Sequence, residues 1–420
     1  MLLTLVMVLA VTGLTGSVLM PQPMQPAPRD GSPATFIFDL TVSRSDGWDA
    51  RQHGALAGAY AAASNDAAAV AHLYVAAAES DDPALWRQVA DRAWRSQRWM
   101  LARQALEAVI RWAPEDASAR YRLAVLLLPY DARQAYEHLR YTLGDSALGA
   151  RAAFLQAAVT EAASDTPADQ VARIGMALAA QGHWPQAEQA FVTAIAMTPD
   201  YAVGWAYLGL ARAQQGKNAT DAFARALAYA PGDAVVLLLQ GLAWRAQGDH
   251  ERSLEALAAA QGTAPDDPAI AAELGTAYRL LGDLASAEYW LARAAQLGAG
   301  QPQFLTNLAF FYAEEAYNLT GNGLTVLAEA VARQPENADL QAAYGWALVQ
   351  AGQVTTGEAA LQTAMSLQPD CPRALYYQGL LYQLQGQDAL AVETLARLIG
   401  HPEPQGWDRL ARRVLATIGS

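Results

Sequence analysis

The sequence has almost no cysteine and almost no lysine. Cys371 is the only cysteine in 420 residues, so no disulfide bond can form within the chain, and Lys217 is the only lysine. Charged residues are scarce at 16%, and the formal net charge is −13. Proteins bind the phosphates of nucleic acids with stripes of basic residues. A chain this acidic is therefore expected to have no nucleic-acid partner.

Signatures of catalysis and of cofactor binding are missing as well. The sequence has no Cys/His cluster at metal-ligand spacing, no nucleophile elbow and no dinucleotide fingerprint. The segment around Lys217 resembles a phosphate loop only superficially, because Asn218 stands where a Ser or Thr is required. His183 and His250 are expected to be separate surface residues. The sequence thus predicts a protein that is not an enzyme, with no catalytic residue, no cofactor and no metal site.

Two pairs of adjacent carboxylates are the remaining candidates for acid–base chemistry. They are Asp266–Asp267 and Glu314–Glu315, and both pairs fall at the ends of predicted helices. Solvation or helix capping accounts for carboxylates at such places. These pairs are therefore predicted to be structural.

A long apolar run without any charge opens the chain, from Met1 to Met20. A bilayer core needs roughly 20 residues of helix, so this run is interpreted as an uncleaved membrane anchor. The alternatives are a signal peptide cleaved near the small residues Thr15 to Ser17, and a mis-set start or buried helix. Residues 21–48 form a Pro-rich linker. Both the anchor and the signal place the protein in the cell envelope, on the extracytoplasmic side of the membrane.

Two short amphipathic helices are predicted from Ala168 to Tyr201. Each has an apolar stripe at helical spacing that is too narrow to bury itself without neighbours on both sides. The residues that carry the pattern are Val171, Ile174, Gly175, Leu178, Gly182, Ala187, Phe191, Ala194 and Pro199. The same layout returns about every 34 residues. Such a period predicts a stack of helical hairpins.

The repeated layout resembles the tetratricopeptide repeat, whose most diagnostic letters are a Leu-Gly pair and a Tyr one turn later. Leu274, Gly275 and Tyr278 are one example. The resemblance implies an all-α fold in which tandem helix-turn-helix repeats form a right-handed superhelical solenoid. Small residues such as Gly175 and Ala187 are expected where the two helices of a hairpin cross.

The resemblance varies along the chain and predicts its organisation. Seven regular repeats are expected in residues 168–405, preceded by divergent repeat-like helices in residues 49–167. Residues 406–420 are expected to form an amphipathic capping helix, because Trp407, Leu410 and Val414 share one face. The end of a solenoid needs such a cover for its last hydrophobic face.

The resemblance also implies where a partner binds. In the family the concave groove is lined mainly by the first helix of each hairpin, including the residue that follows the Leu-Gly pair and the one four before it. The groove residues predicted on this basis are Met176, Leu210, Leu242, Phe310, Trp346, Tyr376 and Leu380. Family members that clamp chaperone tails carry Lys and Asn at such positions. This sequence carries neither there, so a chaperone-tail clamp is not expected.

One repeat has about two extra residues between Glu315 and Gly323. Insertions in solenoids map to loops on one face, often the binding face. Asn318 and Asn322 lie in this insertion and are predicted to form the polar edge of the groove. The alternative interpretation is that Phe310 and Trp346 only pack between adjacent first helices and that the longer turn is neutral.

These features together predict a non-catalytic scaffold for protein–protein interactions in the cell envelope. Its partner is expected to be a protein or an extended peptide segment, with the membrane as a further partner if residues 1–20 are uncleaved. The alternative is a periplasmic accessory protein in polysaccharide or envelope assembly, in which the aromatic groove residues bind a glycan or a secretion partner.

Overall fold

The computed structural model describes residues 49–80, 82–162, 165–400 and 406–418. The predicted anchor or signal in residues 1–20 and the linker in residues 21–48 lie outside the described residues. All regular secondary structure within the described ranges is helical, with 22 α-helices and one short π-helix. None of these helices is both long enough and apolar enough to cross a bilayer.

The chain divides into two compact units, with the boundary between Gln215 and Gly216. The helices of the first unit are α1 (Ala50–Ala62), α2 (Asp66–Ser80), α3 (Pro83–Arg95), α4 (Trp99–Trp112), α5 (Ala117–Leu127), α6 (Ala132–Arg140), α7 (Gly149–Glu161), α8 (Pro167–Ala180), α9 (Trp184–Met197) and α10 (Ala202–Ala213).

The second unit begins with α11 (Thr220–Tyr229), α12 (Ala234–Ala246), α13 (His250–Thr263), α14 (Pro268–Leu280), α15 (Leu284–Leu297) and α16 (Pro302–Glu315). The π-helix (Leu319–Gly323) leads into α17 (Leu324–Arg333), α18 (Ala338–Gln350), α19 (Val354–Leu367), α20 (Pro372–Leu384), α21 (Asp388–Ala396) and α22 (Trp407–Ile418).

Within each unit, consecutive helices pair into hairpins and each hairpin packs on the next. In the first unit α8 packs along α9, and α9 packs against α10. In the second unit α14 packs along α15, α15 against α16, and the first helices α16, α18 and α20 also contact one another in series. Each repeat therefore contacts mainly its neighbours, which confirms the predicted all-α class and the tandem arrangement of helical hairpins.

Glycines mark the crossing points of the hairpins, as predicted. A Cβ atom at Gly175 would lie 2.7 Å from Cε1 of Phe191 and 3.1 Å from Cβ of Ala190. A Cβ atom at Gly275 would lie 2.6 Å from Cγ of Leu291. Because these distances are shorter than van der Waals contact, a side chain would force the two helices of the hairpin apart.

Aspartates begin many of the helices. The Asp267 carboxylate accepts hydrogen bonds from the backbone N–H groups of Ala269 and Ile270, at 2.8 and 3.3 Å. Side-chain caps of this kind satisfy N–H groups that have no partner within the helix. The other aspartate caps in the described residues are Asp49, Asp82, Asp116, Asp131, Asp233, Asp249 and Asp283. Capping therefore accounts for part of the acidity of the chain.

Glu314 and Glu315 are structural as predicted, but through ion pairs and not through capping. Both carboxylates pair with Arg279 on α14, at 3.0 and 3.2 Å. Glu314 also pairs with Arg373 on α20, at 2.8 Å. The two glutamates end α16, where the exposed carbonyls give no benefit from further negative charge. Their role is to link neighbouring repeats.

The helix α22 lies where a capping helix was expected. Trp407 and Ala411 on α22 are buried in one cluster with Leu375 of α20 and Leu395 of α21. The contact with α22 removes the apolar faces of α20 and α21 from water.

Candidate partner-binding surface

Three of the seven predicted groove residues are core residues. Met176, Leu210 and Leu242 are only 3%, 1% and 3% exposed. On α8 all residues from Ile174 to Ala179 are buried, and on α10 all residues from Ala206 to Ala211 are buried. Six consecutive residues cover every side of an α-helix, since one turn takes 3.6. These helices are enclosed by protein, so their predicted role in partner contact is wrong for this conformation.

The other four predicted residues are half-buried and lie on three first helices that contact one another in series. Phe310 is on α16, Trp346 on α18, and Tyr376 and Leu380 on α20. These four residues are called the aromatic surface below. Trp346 and Leu380 pack against the same core cluster, which includes Ala342 and Tyr377.

Ring contacts hold the aromatic surface in place. The ring of Trp346 stacks on Tyr377, with centroids 5.3 Å apart and planes 5° from parallel. Tyr376 contacts Tyr377 and Trp407, at 5.8 and 5.6 Å between centroids. Such pairs add about 0.5–1.5 kcal/mol beyond the burial of area. The half-exposed rings therefore have fixed orientations.

A buried arginine lies beneath the aromatic surface. Arg373 is 9% exposed, and its guanidinium carbon lies 4.3 Å from the ring centroid of Phe310 and 5.3 Å from that of Trp407. Its nitrogens pair with Glu314 at 2.8 Å and with Asp339 at 3.3 Å. One side chain thus connects α16, α18, α20 and α22 by ion pairs and cation–π contacts.

The two asparagines predicted at the groove edge lie elsewhere. The side-chain amides of Asn318 and Asn322 donate hydrogen bonds to Oε1 of Glu288, at 2.9 and 3.3 Å. Glu288 is on α15, the second helix of the preceding hairpin, whereas the aromatic surface is carried by first helices. The side-chain amides of the insertion therefore bond to the Glu288 carboxylate on α15. The prediction of a polar groove edge is therefore corrected.

The family model for the tetratricopeptide repeat matches residues 89–128, 173–234, 218–268, 238–302 and 343–406, which is more than half of the chain. The chain belongs to the tetratricopeptide repeat family. No curated protein matches the chain in sequence.

Solved tetratricopeptide repeat structures resemble the chain in fold. Yeast Tom70 is 12% identical, with 88% of this chain and 95% of that chain covered and a TM-score of 0.35. A tetratricopeptide repeat protein from Parabacteroides merdae is 14% identical, with 58% and 98% covered and a TM-score of 0.44. The APC/C hetero-tetramer Cut9-Hcn1 is 13% identical, with 92% of each chain covered and a TM-score of 0.42.

Within the tetratricopeptide repeats, His183 was predicted to be on the surface, but it is partly buried and packs against aromatic side chains of the first unit. Nε2 of His183 lies 3.0 Å from the hydroxyl of Tyr121, and the ring meets Trp94 edge-on at 6.4 Å. Burial, with a smaller contribution from Arg151, lowers the pKa of His183 to about 4. The imidazole is therefore neutral near pH 7 and forms part of the packing of the first unit.

The aromatic surface is apolar apart from the hydroxyl group of Tyr376. Burial raises the pKa of Tyr376, against a smaller opposing effect of Arg413, so the phenol is protonated near neutral pH and can donate a hydrogen bond. Within the described ranges, no group of three or more His, Cys, Asp or Glu residues is placed to hold a metal ion. The surface offers ring faces and one donor, which suits binding better than acid–base chemistry.

Sequence reasoning missed Arg373 and its partners. The residues that contact its guanidinium are spread along the chain from Phe310 to Trp407, so no local pattern contains them. The adjacent Glu314–Glu315 pair was the only available signal, because two carboxylates at a helix C-terminus are unfavourable unless cations face them.

Proposed function

We propose that this protein is a non-catalytic scaffold that binds an extended segment of a protein partner on the aromatic surface. The observation that carries the proposal is the arrangement of Phe310, Trp346, Tyr376 and Leu380 as half-exposed side chains on three first helices that contact one another in series. The tetratricopeptide fold is consistent with a protein-interaction scaffold.

The energetics favour these residues as anchors. Aromatic side chains that are held rigidly lose little conformational freedom on binding, and they are commonly the hot spots of interfaces, where truncation costs about 2 kcal/mol or more. The stacking of Trp346 on Tyr377 and the contacts of Tyr376 with Tyr377 and Trp407 supply this rigidity. Ring faces on successive repeats would contact successive apolar side chains of the partner.

We also propose that the protein acts in the cell envelope, on the extracytoplasmic side of the membrane. The support is the uncharged apolar stretch Met1 to Met20 and the Pro-rich stretch that follows it. Fractionation of cells is the test. An anchored protein sediments with membranes and resists extraction by salt, a cleaved one has a mature start near Val18 by mass spectrometry, and an intact chain found only in the cytosol contradicts the proposal.

Site-specific photo-crosslinking in living cells tests the binding surface. A photoreactive amino acid replaces Trp346 in one variant and Leu367 in the control, because Leu367 is 42% exposed on the second helix α19 of the same hairpin. The proposal predicts one dominant protein adduct at position 346 and none of the same mass at position 367. Equal adducts at both positions, or an adduct with a glycan alone, would contradict it.

A further inference from the structure

Three hydrogen-bond donors converge on one carboxylate oxygen, two from the insertion between α16 and α17 and one from α16 itself. Oε1 of Glu288 accepts from the Tyr312 hydroxyl at 2.6 Å, from Asn318 at 2.9 Å and from Asn322 at 3.3 Å. No hydrogen bond to Oε2 occurs within the described residues, so this second oxygen retains its capacity to accept. The arrangement holds the carboxylate in one orientation with one oxygen available.

The insertion that carries Asn318 and Asn322 has unusual backbone conformations. Ala316 and Asn318 take left-handed conformations with φ of 49° and 47°, and Leu319–Gly323 is a π-helix. Left-handed residues other than glycine cost on the order of 1–2 kcal/mol each, and π-helical turns occur frequently at functional sites. The insertion therefore adopts an unfavourable backbone at the place where it orders one carboxylate.

Glu288 is charged at neutral pH. Its partial burial alone would raise the pKa of the carboxyl, but the three hydrogen bonds outweigh burial and lower the pKa. Burial and the bond to Glu288 raise the pKa of Tyr312, so the phenol remains a donor. The carboxylate is thus a fixed negative charge.

Glu288 lines a depression of about 360 Å³ in the second unit. Tyr289 presents a ring that is 60% exposed, and Trp290 packs edge-on against it at 5.2 Å. Arg293 is the one cation of the lining, and its guanidinium pairs with Asp266 at 3.3 Å. Arg293 is therefore engaged by Asp266 in an exposed ion pair, while no cation pairs with Glu288 among the described residues.

We propose that this depression binds an arginine side chain of the protein partner. A guanidinium can donate to Oε2 of Glu288 and lie against the exposed ring of Tyr289, which combines a charge-assisted hydrogen bond with a cation–π contact. The net charge of −13 favours the approach of a basic segment. This inference rests on the proposed function as a protein-binding scaffold, but it concerns the side of α15 and not the aromatic surface.

The test is an NMR titration of the full-length protein with the peptide acetyl-Gly-Arg-Gly-amide. The proposal predicts saturable shifts of the side-chain amide signals of Asn318 and Asn322, with a dissociation constant on the order of 1 mM for so small a probe. The same peptide with citrulline in place of arginine has a neutral side chain of similar shape and is expected to cause no saturable shift.

Variants of residues that line the depression distinguish an effect of charge on peptide binding from an effect on folding. Glu288→Gln keeps an oxygen that can accept hydrogen bonds but removes the charge, and it should weaken binding of the arginine peptide about tenfold or more. Its melting temperature should fall only slightly, because the hydrogen bonds remain but lose their charge assistance. Tyr289→Ala should weaken binding of the arginine peptide at least about threefold, because the cation–π contact is lost. The protein should stay folded, since the Tyr289 side chain is mostly exposed. The matched control Glu329→Gln removes an exposed carboxylate of the next helix, α17, and should leave the affinity unchanged.

Several results would overturn the proposal. They are equal binding of the citrulline peptide, full affinity in Glu288→Gln, and saturable shifts at Asn318 and Asn322 with N-acetylglucosamine but not with the arginine peptide. Trp346→Ala, which lies on the aromatic surface, should bind the arginine peptide normally. If arginine binding fails while crosslinking at position 346 succeeds, only this inference is lost; if the reverse holds, only the proposed role of the aromatic surface is lost.

Discussion

At Gly275 the two helices of a hairpin touch with no room for a side chain. A Cβ atom there would lie 2.6 Å from Cγ of Leu291 and 3.1 Å from its backbone nitrogen. Because backbone cannot move aside as a flexible side chain can, the contact requires glycine at this position. By contrast, a Cβ atom at Gly262, inside α13, would meet nothing within 4 Å.

These two glycines predict opposite effects of substitution. Gly275→Leu should lower the free energy of unfolding by about 2 kcal/mol or more through overpacking. Gly262→Ala should leave it unchanged or raise it by up to about 1 kcal/mol, because alanine favours helix over glycine and the site is open. Urea denaturation of both variants checks this. Equal stability of Gly275→Leu and wild type would show that the hairpins do not cross at this residue.

His183 predicts a dependence of stability on pH. Its pKa is lowered to about 4 in the folded chain from an ordinary value of 6.5. The unfolded chain therefore binds the proton more readily, so the stabilisation is fully present above pH 6.5 and is lost as the pH falls from 6.5 to 4. The shift corresponds to about 3 kcal/mol.

The check is the slope of unfolding free energy against pH in the wild type and in His183→Gln. Since glutamine does not titrate, the variant should lose less stability over this interval. Identical slopes in the two proteins would contradict the assignment of a neutral imidazole packed against Trp94 and Tyr121.

At the scale of secondary-structure elements, Arg373 joins four helices of the second unit. Its guanidinium pairs with Glu314 of α16 and Asp339 of α18, and it lies over the ring of Trp407 of α22. Arg397 gives a matched comparison, because its ion pair with Asp370 is exposed, with side chains that are 46% and 75% accessible. Buried and exposed ion pairs respond differently to loss of one partner.

Arg373→Ala should therefore cost about 3 kcal/mol of unfolding free energy, and Arg397→Ala less than about 1 kcal/mol. The larger value includes the lost packing against Phe310 and Trp407 as well as the lost ion pairs with Glu314 and Asp339. Chemical denaturation of the two variants measures the difference. If both cost the same small amount, Arg373 does not hold these helices together.

The helices and turns could be predicted from the sequence because each signal has a local cause. Gly282 has φ of 81°, which favours glycine, and it closes α14 through a hydrogen bond from the Asp283 N–H to the Tyr278 carbonyl at 3.0 Å. The π-helix could not be predicted, because Ala316 and Asn318 are left-handed without a glycine to indicate it. The side-chain amide of Asn318 is bonded to Glu288, which is 30 residues away, so no local pattern contains this contact.

The candidate surface could be predicted only in part. The repeat pattern indicates which residues of a first helix point toward the inner side, but not how closely neighbouring helices cover them. Met176 and Leu210 lie on helices that protein encloses on every side, whereas Trp346 and Tyr376 remain half-exposed. How far a first helix is covered depends on the sizes of side chains in several neighbouring repeats. The sequence of a single repeat does not contain this information.

At the scale of the whole molecule, the stacking of repeats predicts that damage remains local. Gly275→Leu should increase hydrogen exchange in α14 and α15 and in the helices that contact them, α13 and α16. Stability in such stacks is a sum of repeat terms and nearest-neighbour terms, so distant helices should keep their protection. Hydrogen exchange measured by mass spectrometry resolves these segments. A uniform increase across the described helices would contradict a nearest-neighbour stack.

The most direct test is to purify the crosslinked partner and to measure its affinity for variants of the aromatic surface. This measurement decides whether the surface binds the partner. Trp346→Ala and Tyr376→Ala should each weaken binding by about 2 kcal/mol or more, roughly thirtyfold, at a temperature where all variants are folded. The control Leu367→Ala, on the second helix α19, should bind like wild type. Full affinity in both aromatic variants, or a loss of affinity that only follows a loss of folded protein, would show that Trp346 and Tyr376 serve packing alone.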